Sequence, residues 1–367
     1  MDPVFRVQRV IEAMRRVAGR VLRDDGGLCT ALVSATHLSR QGVELAVREH
    51  LETDPSEEEV QSLVASAGRA PAAHVVLSAN VFTAGARALA LAAATAPRVF
   101  VRCSRREEVF VPALIEAIGA GLGGIERTTA IAPSPGDELH LYGSDATLRT
   151  ICAGLDAGVR VRAHGTGIGL ALVGVDADPR EVGRLLARDM VPFEQRGCLS
   201  PRAAIARGPA AAHELAEALR DALDAWRTQV PPGPADPALV AERTAFRALA
   251  SAVGDWVACG DGGIAVAHGL RAPWFAPTGR NLLVVAFDDD DAAARWVAPM
   301  AHHVASLGVS GDERDWPRVS QACAGARRSA IGRMQKPPFD GPVDRRHPDV
   351  ETPSQVLERL GAGDSQG

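Results

Sequence analysis

Between residues 4 and 23, Val4, Val7, Ile11, Met14 and Val21 recur at helical spacing among Arg6, Arg9, Arg15, Arg16, Arg20 and Arg23. That pattern predicts an amphipathic helix packed on a domain, the alternative being a helix lying on a membrane surface. Residues 56 to 67 predict another surface helix with an acidic first turn, Glu57 to Glu59. From residue 74 the pattern changes to short apolar runs separated by longer amphipathic ones. Strands are predicted over 74–78, 98–102, 138–142, 158–162, 169–174, 281–286 and 306–310. Helices are predicted over 83–96, 107–119, 146–157, 180–188, 209–227 and 292–305, a proline-marked loop runs from Pro231 to Pro237, and residues 361 to 367 read as a disordered tail. Strands of this length alternating with helices of this length imply βαβ units and a mostly parallel sheet, hence an α/β fold.

Composition narrows the class. A chain of 367 residues exceeds the size of one hydrophobic core, so two domains are expected. A net charge of −5 gives no electrostatic case for nucleic acid. Six cysteines, at 29, 103, 152, 198, 259 and 323, are scattered without a CxxC pair, which argues against zinc ribbons and a disulfide framework. No apolar stretch is long enough to span a bilayer and no signal peptide is recognisable, so a cytoplasmic protein without an integral membrane segment is expected. Lys336 is the only lysine and sits before two prolines, which makes a lysine Schiff base, and with it pyridoxal chemistry, a poor expectation.

Four positions carry candidate chemistry. Cys198 lies in Val191-Pro-Phe-Glu-Gln-Arg-Gly-Cys-Leu-Ser-Pro201, after a glycine and before the apolar run Ala203 to Ala206. At such an element boundary a thiol can be exposed, its thiolate stabilised by backbone N–H groups and by Arg196, and can attack a carbonyl or thioester. The alternative is a small buried hydrophobe. Tyr142-Gly-Ser-Asp-Ala-Thr-Leu148 runs from a strand into a helix whose free N–H groups suit a phosphate, with the Ser144 hydroxyl added; Ser144 or Asp145 as a plain N-cap is the alternative. Asn80 follows the first strand of the alternating region, at the sheet edge where ligands bind in α/β folds, and is either an oxyanion donor or a turn residue. Arg102, before Cys103 and Ser104, ends the second strand, where a guanidinium suits an adenosine ribose or a 2′-phosphate; a solvated strand end is the alternative.

In this order the motifs resemble the aldehyde dehydrogenase superfamily and, within it, the LuxC-like fatty acyl-CoA reductases. The superfamily order is a strand ending in asparagine, a strand ending in a basic residue and a serine, Gly-Ser opening a helix, a glycine-rich approach to a strand, and the nucleophilic cysteine. Here these read Asn80, Arg102 with Ser104, Gly143-Ser144, His164-Gly165-Thr166-Gly167, and Cys198. The subfamily is carried by Tyr142 to Asp145, by Phe193 to Pro201, and by Gly332-Arg-Met-Gln-Lys-Pro-Pro338. The match runs from about 74 to 345.

The resemblance implies an aldehyde dehydrogenase-like architecture: a Rossmann-like cofactor domain over 1–168, a catalytic α/β domain over 169–330, and a C-terminal segment and tail over 331–367. It implies reduction of an acyl thioester, carried by CoA or an acyl carrier, to an aldehyde with NADPH. Cys198, Asn80 and His164 would be catalytic. Arg102, Ser104, Gly143, Ser144, Gly165 and Gly167 would bind the cofactor. Homo-oligomerisation stays open. Two departures stand out. Hydrolytic relatives carry a glutamate where this chain has His164, and its absence favours thioester reduction over aldehyde oxidation, because no carboxylate activates water. His164 is then an acid or base toward the departing thiol, or a strand cap. The start of the chain is also short for the family. Reduction of an acyl phosphate and a non-catalytic scaffold that keeps the fold are the alternative functions.

Overall fold

The computed structural model describes residues 2–78, 80–104, 108–119, 124–260, 262–347 and 349–364. The chain forms two compact units, one of Met1–Thr36, Val43–Thr166 and Pro338–Gly367, the other of His37–Gly42 and Gly167–Pro337.

The first unit is built on five parallel strands, β1 (Ala73–Val76), β2 (Val99–Arg102), β3 (Ile125–Arg127), β4 (Glu138–Tyr142) and β5 (Arg160–His164), in the order β3-β2-β1-β4-β5. Its helices are α1 (Pro3–Leu22), α2 (Leu28–Thr36), α3 (Arg40–His50, from Val43 in this unit), α4 (Glu57–Ser66), α5 (Ala84–Thr95), α6 (Phe110–Ile118) and α7 (Asp145–Cys152). The central strand β1 is buried throughout, as a parallel strand covered on both faces must be. Every residue of α5 after Ala84 is buried as well; its alanines let the helix sit close to its neighbours. The amphipathic helix expected at the start is α1, and Val7, Val10, Ile11, Met14, Val17 and Val21 are buried in the unit, the packed alternative of the two. A capping box between Ser56 and Glu59 starts α4.

Four sequence expectations shift in this unit. The helix expected over 146–157 is α7, which ends at Cys152. The strand placed at 158–162 lies at 160–164, so His164 is its last residue rather than a position beyond it. The helix expected from 107 is described from Phe110, Glu107 itself lying outside the described residues. The tail expected to be disordered from 361 is a helix, Pro353–Asp364, as far as the described residues go. Val356 and Leu360, one turn apart, insert into the cluster of Leu139, Leu141, Val161 and Ala163, so this helix is part of the first unit's core.

The second unit carries seven strands, β6 (Ile168–Val173), β7 (Pro201–Arg207), β8 (Gly254–Cys259), β9 (Gly262–His268), β10 (Leu282–Phe287), β11 (Val304–Ser310) and β12 (Arg327–Ala330), ordered β12-β11-β6-β7-β10-β9-β8. Among this unit's strand pairs in the described residues, only β8–β9 is antiparallel. Around them lie α8 (Pro179–Met190), α9 (Gly208–Gln229), α10 (Pro237–Val253), α11 (Asp290–Val297) and α12 (Pro317–Ala322). The helix expected over 292–305 is α11 followed by a 3₁₀ turn, Ala298–His303, with Pro299 at its start removing a helical N–H. β10, Leu-Leu-Val-Val-Ala-Phe, is buried at every position and packs with Trp296, Trp316 and Phe246 in one core.

Candidate active site

Cys198 stands in the second unit between α8 and β7, half-buried. Cys29, Cys152, Cys259 and Cys323 are buried, and burial pushes the last three thiols up to about 11, 11 and 12, so they are inert at neutral pH. Cys103, in the first unit, is the other half-buried cysteine.

The backbone before Cys198 is unusual. Phe193, Glu194 and Gln195 all have positive φ, 55°, 52° and 63°, with no glycine among them. Left-handed conformations cost L-residues roughly 1–2 kcal/mol each, so three in succession need a framework that holds them. The side chains of the loop itself supply it. Buried Gln195 donates through Nε2 to the carbonyls of Pro201 and Asn281, both at 2.6 Å, and its Oε1 accepts from Asn281 N–H at 3.0 Å. Glu194 pairs with Arg280 at 2.9 Å in the interior, and its carbonyl accepts from Gly279 N–H at 2.9 Å. Arg280 also donates to the Val230 carbonyl at 2.8 Å.

Behind the cysteine, the chain presses on the start of β6. Gly169 N–H donates to the Ser200 carbonyl at 3.0 Å, and a Cβ at Gly169 would lie 2.5 Å from that oxygen and 2.7 Å from the Leu199 carbonyl. Only glycine fits there. The Gly332–Pro338 motif folds onto the same region: Gln335 Nε2 donates to Ser200 Oγ at 2.7 Å. Its backbone is tied to α8, because the buried Asp189 carboxylate accepts from Gly332 N–H at 2.5 Å and Met334 N–H at 3.0 Å. Burial pushes the Asp189 carboxyl up to about 7, while these amide donors pull it down.

The other expected site residues, Gly167 apart, stand at one edge of the first unit's sheet. All its strands are parallel, so their carboxyl ends face one way, and the order reverses between β1 and β4, the switch point where α/β sheets bind ligands. Asn80 lies exposed in the loop after β1, Arg102 ends β2 with its side chain exposed, and Ser104 follows half-buried. Gly143 and Ser144 lead from β4 into α7. The Ser144 hydroxyl is the N-cap, accepting from Thr147 N–H at 3.2 Å. Asp145 accepts from Thr166 N–H at 2.8 Å. Gly165 makes room for that carboxylate, since a Cβ there would come 2.3 Å from Asp145 Oδ1. Gly167 opens the segment assigned to the second unit.

His164 ends β5 with 6% of its surface exposed, its ring stacked on Tyr142 at 4.6 Å between centroids. Burial lowers its pKa to about 4, with the Asp344 carboxylate opposing the shift, so the imidazole is neutral at physiological pH. It tops a buried polar layer. On β4 and β5, Glu138, His140 and Arg162 are fully or almost fully buried, with Arg162 Nε 3.1 Å and His140 Nε2 3.0 Å from Glu138 Oε1. His140 and the Arg162 guanidinium hold the Glu138 carboxyl down to about 2 against its desolvation.

Sequence reasoning did not find Glu194, Arg280, Gln195, Asn281 or Asp189. The first two pairs join residues 86 positions apart, and no periodicity links them.

These two sheets define the class of protein. The chain has the aldehyde dehydrogenase fold. It superposes on lactaldehyde dehydrogenase from Escherichia coli with a TM-score of 0.65 at 15% identity, covering 90% of this chain and 79% of that one. An NAD-dependent benzaldehyde dehydrogenase from Corynebacterium glutamicum gives 0.64 at 14% identity, over 97% and 82%. A Mycobacterium tuberculosis aldehyde dehydrogenase complexed with NAD+ gives 0.62 at 14%, over 90% and 78%. A search of curated protein sequences finds no significant relative. Residues 42–344 match the model of the acyl-CoA reductase (LuxC) family, and the chain belongs to that family. No helix among the described residues is long and apolar enough to cross a membrane.

Proposed function

We propose that this protein reduces an acyl thioester, probed most directly as a fatty acyl-CoA, to the aldehyde with NADPH, through an acyl group carried on Cys198. The observation that carries the reading is the half-buried Cys198 on a loop fixed in left-handed geometry, inside the segment matched by the acyl-CoA reductase family. The Cys198 thiolate attacks the thioester carbonyl, the C–S bond to CoA breaks, and CoA leaves as thiolate to take a proton. The backbone N–H of Cys198 and the Asn80 amide are assigned to the oxyanion by their family positions. Hydride addition to the acyl-cysteine carbonyl then breaks the bond to Sγ, releasing aldehyde and regenerating the thiolate.

The carboxyl edge of β1, β2 and β4 fits a dinucleotide. Gly143 has no side chain, α7 presents first-turn N–H groups beyond the one Ser144 caps, and the exposed Arg102 guanidinium offers charge for a 2′-phosphate. Gly165 keeps a side chain out of that turn, Ser104 adds a hydroxyl, and Gly167 is assigned to the cofactor by its family position alone. NADPH, when bound, supplies the hydride and is oxidised to NADP+. The Asp145 carboxylate at the helix start bonds the Thr166 amide, which limits its repulsion of a phosphate.

His164 supports reduction rather than hydrolysis. With its pKa near 4 and its ring buried, it is too weak a base at pH 7 to activate water against the acyl-cysteine. We therefore assign it a passive role, closing the strand end in neutral form. Incubation with a fatty acyl-CoA in the absence of NADPH, followed by intact mass and peptide mapping, tests the function. One acyl adduct on Cys198, discharged as aldehyde when NADPH is added, is expected. An unmodified Cys198 together with CoA release elsewhere would refute the reading.

A further inference from the structure

We infer that the buried Glu194–Arg280 pair is the positioning device for Cys198, an inference that rests on Cys198 being the nucleophile. Two short stretches of the second unit meet residue by residue. Glu194 pairs with Arg280, Gln195 exchanges hydrogen bonds with Asn281, and Gly279 N–H donates to the Glu194 carbonyl. Gln195 also donates to the Pro201 carbonyl at 2.6 Å, so a single side chain ties the two ends of the loop that carries Cys198. Both stretches are themselves left-handed, at residues 193–195 and at Arg280 with φ 64°. Neither conformation is intrinsic to its sequence, so each depends on the other.

The pair is a poor source of stability. Arg280 Nε and Nη1 are buried without a hydrogen-bond partner, while Nη2 alone serves Glu194 and the Val230 carbonyl. A buried ion pair with unmet donors is often no better for stability than apolar residues of the same size. What it does provide is direction. The Glu194 charge is usable only if its backbone turns inward, and that turn sets the path of Arg196, Gly197 and Cys198. Asn281 extends the framework, its Oδ1 accepting from Gly263 N–H at 3.0 Å and its Nδ2 donating to the Thr278 carbonyl at 2.8 Å. The loop thus rests on β9 and on the approach to β10 rather than on its own helix.

The test separates positioning from folding. Glu194→Gln alone leaves a buried guanidinium without its counter-charge and is expected to unfold readily. The double variant Glu194→Gln with Arg280→Met removes both charges at similar volume, and its urea unfolding midpoint should stay near that of the parent protein. Its acylation by acyl-CoA should fall about tenfold to a hundredfold in kcat with KM little changed, as expected for a misplaced nucleophile. Iodoacetamide alkylation is followed by peptide mass spectrometry across pH, with Cys103 as the internal reference. The Cys198 profile should shift while that of Cys103 does not. A folded double variant that acylates and alkylates at parent rates would overturn the inference. Should the parent protein not acylate Cys198 at all, the nucleophile reading fails, and the Cys198 alkylation profile still decides whether the pair positions that thiol.

Discussion

Replacing Gly169 by alanine tests how tightly the cysteine loop is seated on its sheet. The new methyl would lie 2.5 Å from the Ser200 carbonyl oxygen, 2.6 Å from its carbon and 2.7 Å from the Leu199 carbonyl oxygen. Real Cβ atoms do not approach that closely, and all three obstacles are backbone, so no rotamer change relieves the overlap. Either β6 or the 197–200 turn must move by the better part of an ångström. The same movement strains the 3.0 Å bond from Gly169 N–H to Ser200 and the 2.7 Å bond from Gln335 to the Ser200 hydroxyl. Overpacking of this kind costs typically 1–3 kcal/mol, and one lost buried hydrogen bond adds about 1 kcal/mol, for a total of about 2–4 kcal/mol. Urea unfolding followed by tryptophan fluorescence should show that loss as a lower midpoint with unchanged slope. Aldehyde formation in the folded variant should fall by an order of magnitude or more, since the turn carries Cys198. Gly154→Ala is the control: the nearest atom to its Cβ, the Ile151 carbonyl oxygen, lies 3.7 Å away, so stability should change by less than about 1 kcal/mol. A Gly169→Ala protein with parent stability and parent activity would show that the close contact under the loop is not real.

Three further outcomes are expected. Arg102→Ala should weaken NADPH selectively, by about 10–150-fold for a charged hydrogen bond worth roughly 1.5–3 kcal/mol, as read from KM for NADPH against NADH; equal loss for both would make Arg102 structural. His164 is neutral in the folded protein down to a pKa of about 4, whereas the unfolded chain takes up its proton near 6.5, so stability should fall as pH drops from 6.5 to 4, by about 3 kcal/mol. His164→Gln should flatten that segment of the stability profile, and an unchanged profile would place the titration elsewhere. His164→Glu should divert acyl groups to free acid, with an acid yield that rises with pH as the buried carboxyl ionises; a folded variant that still acylates yet gives no extra acid at any pH would show that residue 164 does not reach the acyl group.

Much of the first unit can be read from its residues, because α1 has one apolar stripe and β1, β2 and β4 are short apolar runs between amphipathic helices. Other elements carry weaker signals. Within α10 only Phe246 and Ala250 are buried, so no continuous apolar stripe marks that helix. β8 has only Cys259 fully buried and follows α10 without a break. The C-terminal helix does announce itself, through Pro353 at its start and Val356 and Leu360 one turn apart, but the glycines and polar residues at its end outweigh them in a reading by composition. Cys198, Arg102 and Gly143-Ser144 stand out by their place at element boundaries. Glu194 with Arg280 and Gln195 with Asn281 do not, since a left-handed turn without glycine has no local signature and its partners come from the far side of the second unit's sequence.

The central claim is that Cys198 carries the acyl group. Stopped-flow mixing with a fatty acyl-CoA, with NADPH withheld, measures it most directly. The account predicts a burst of one CoA thiol per chain, an acyl adduct mapped to Cys198, and no burst in Cys198→Ala. A burst of equal size in Cys198→Ala would contradict it.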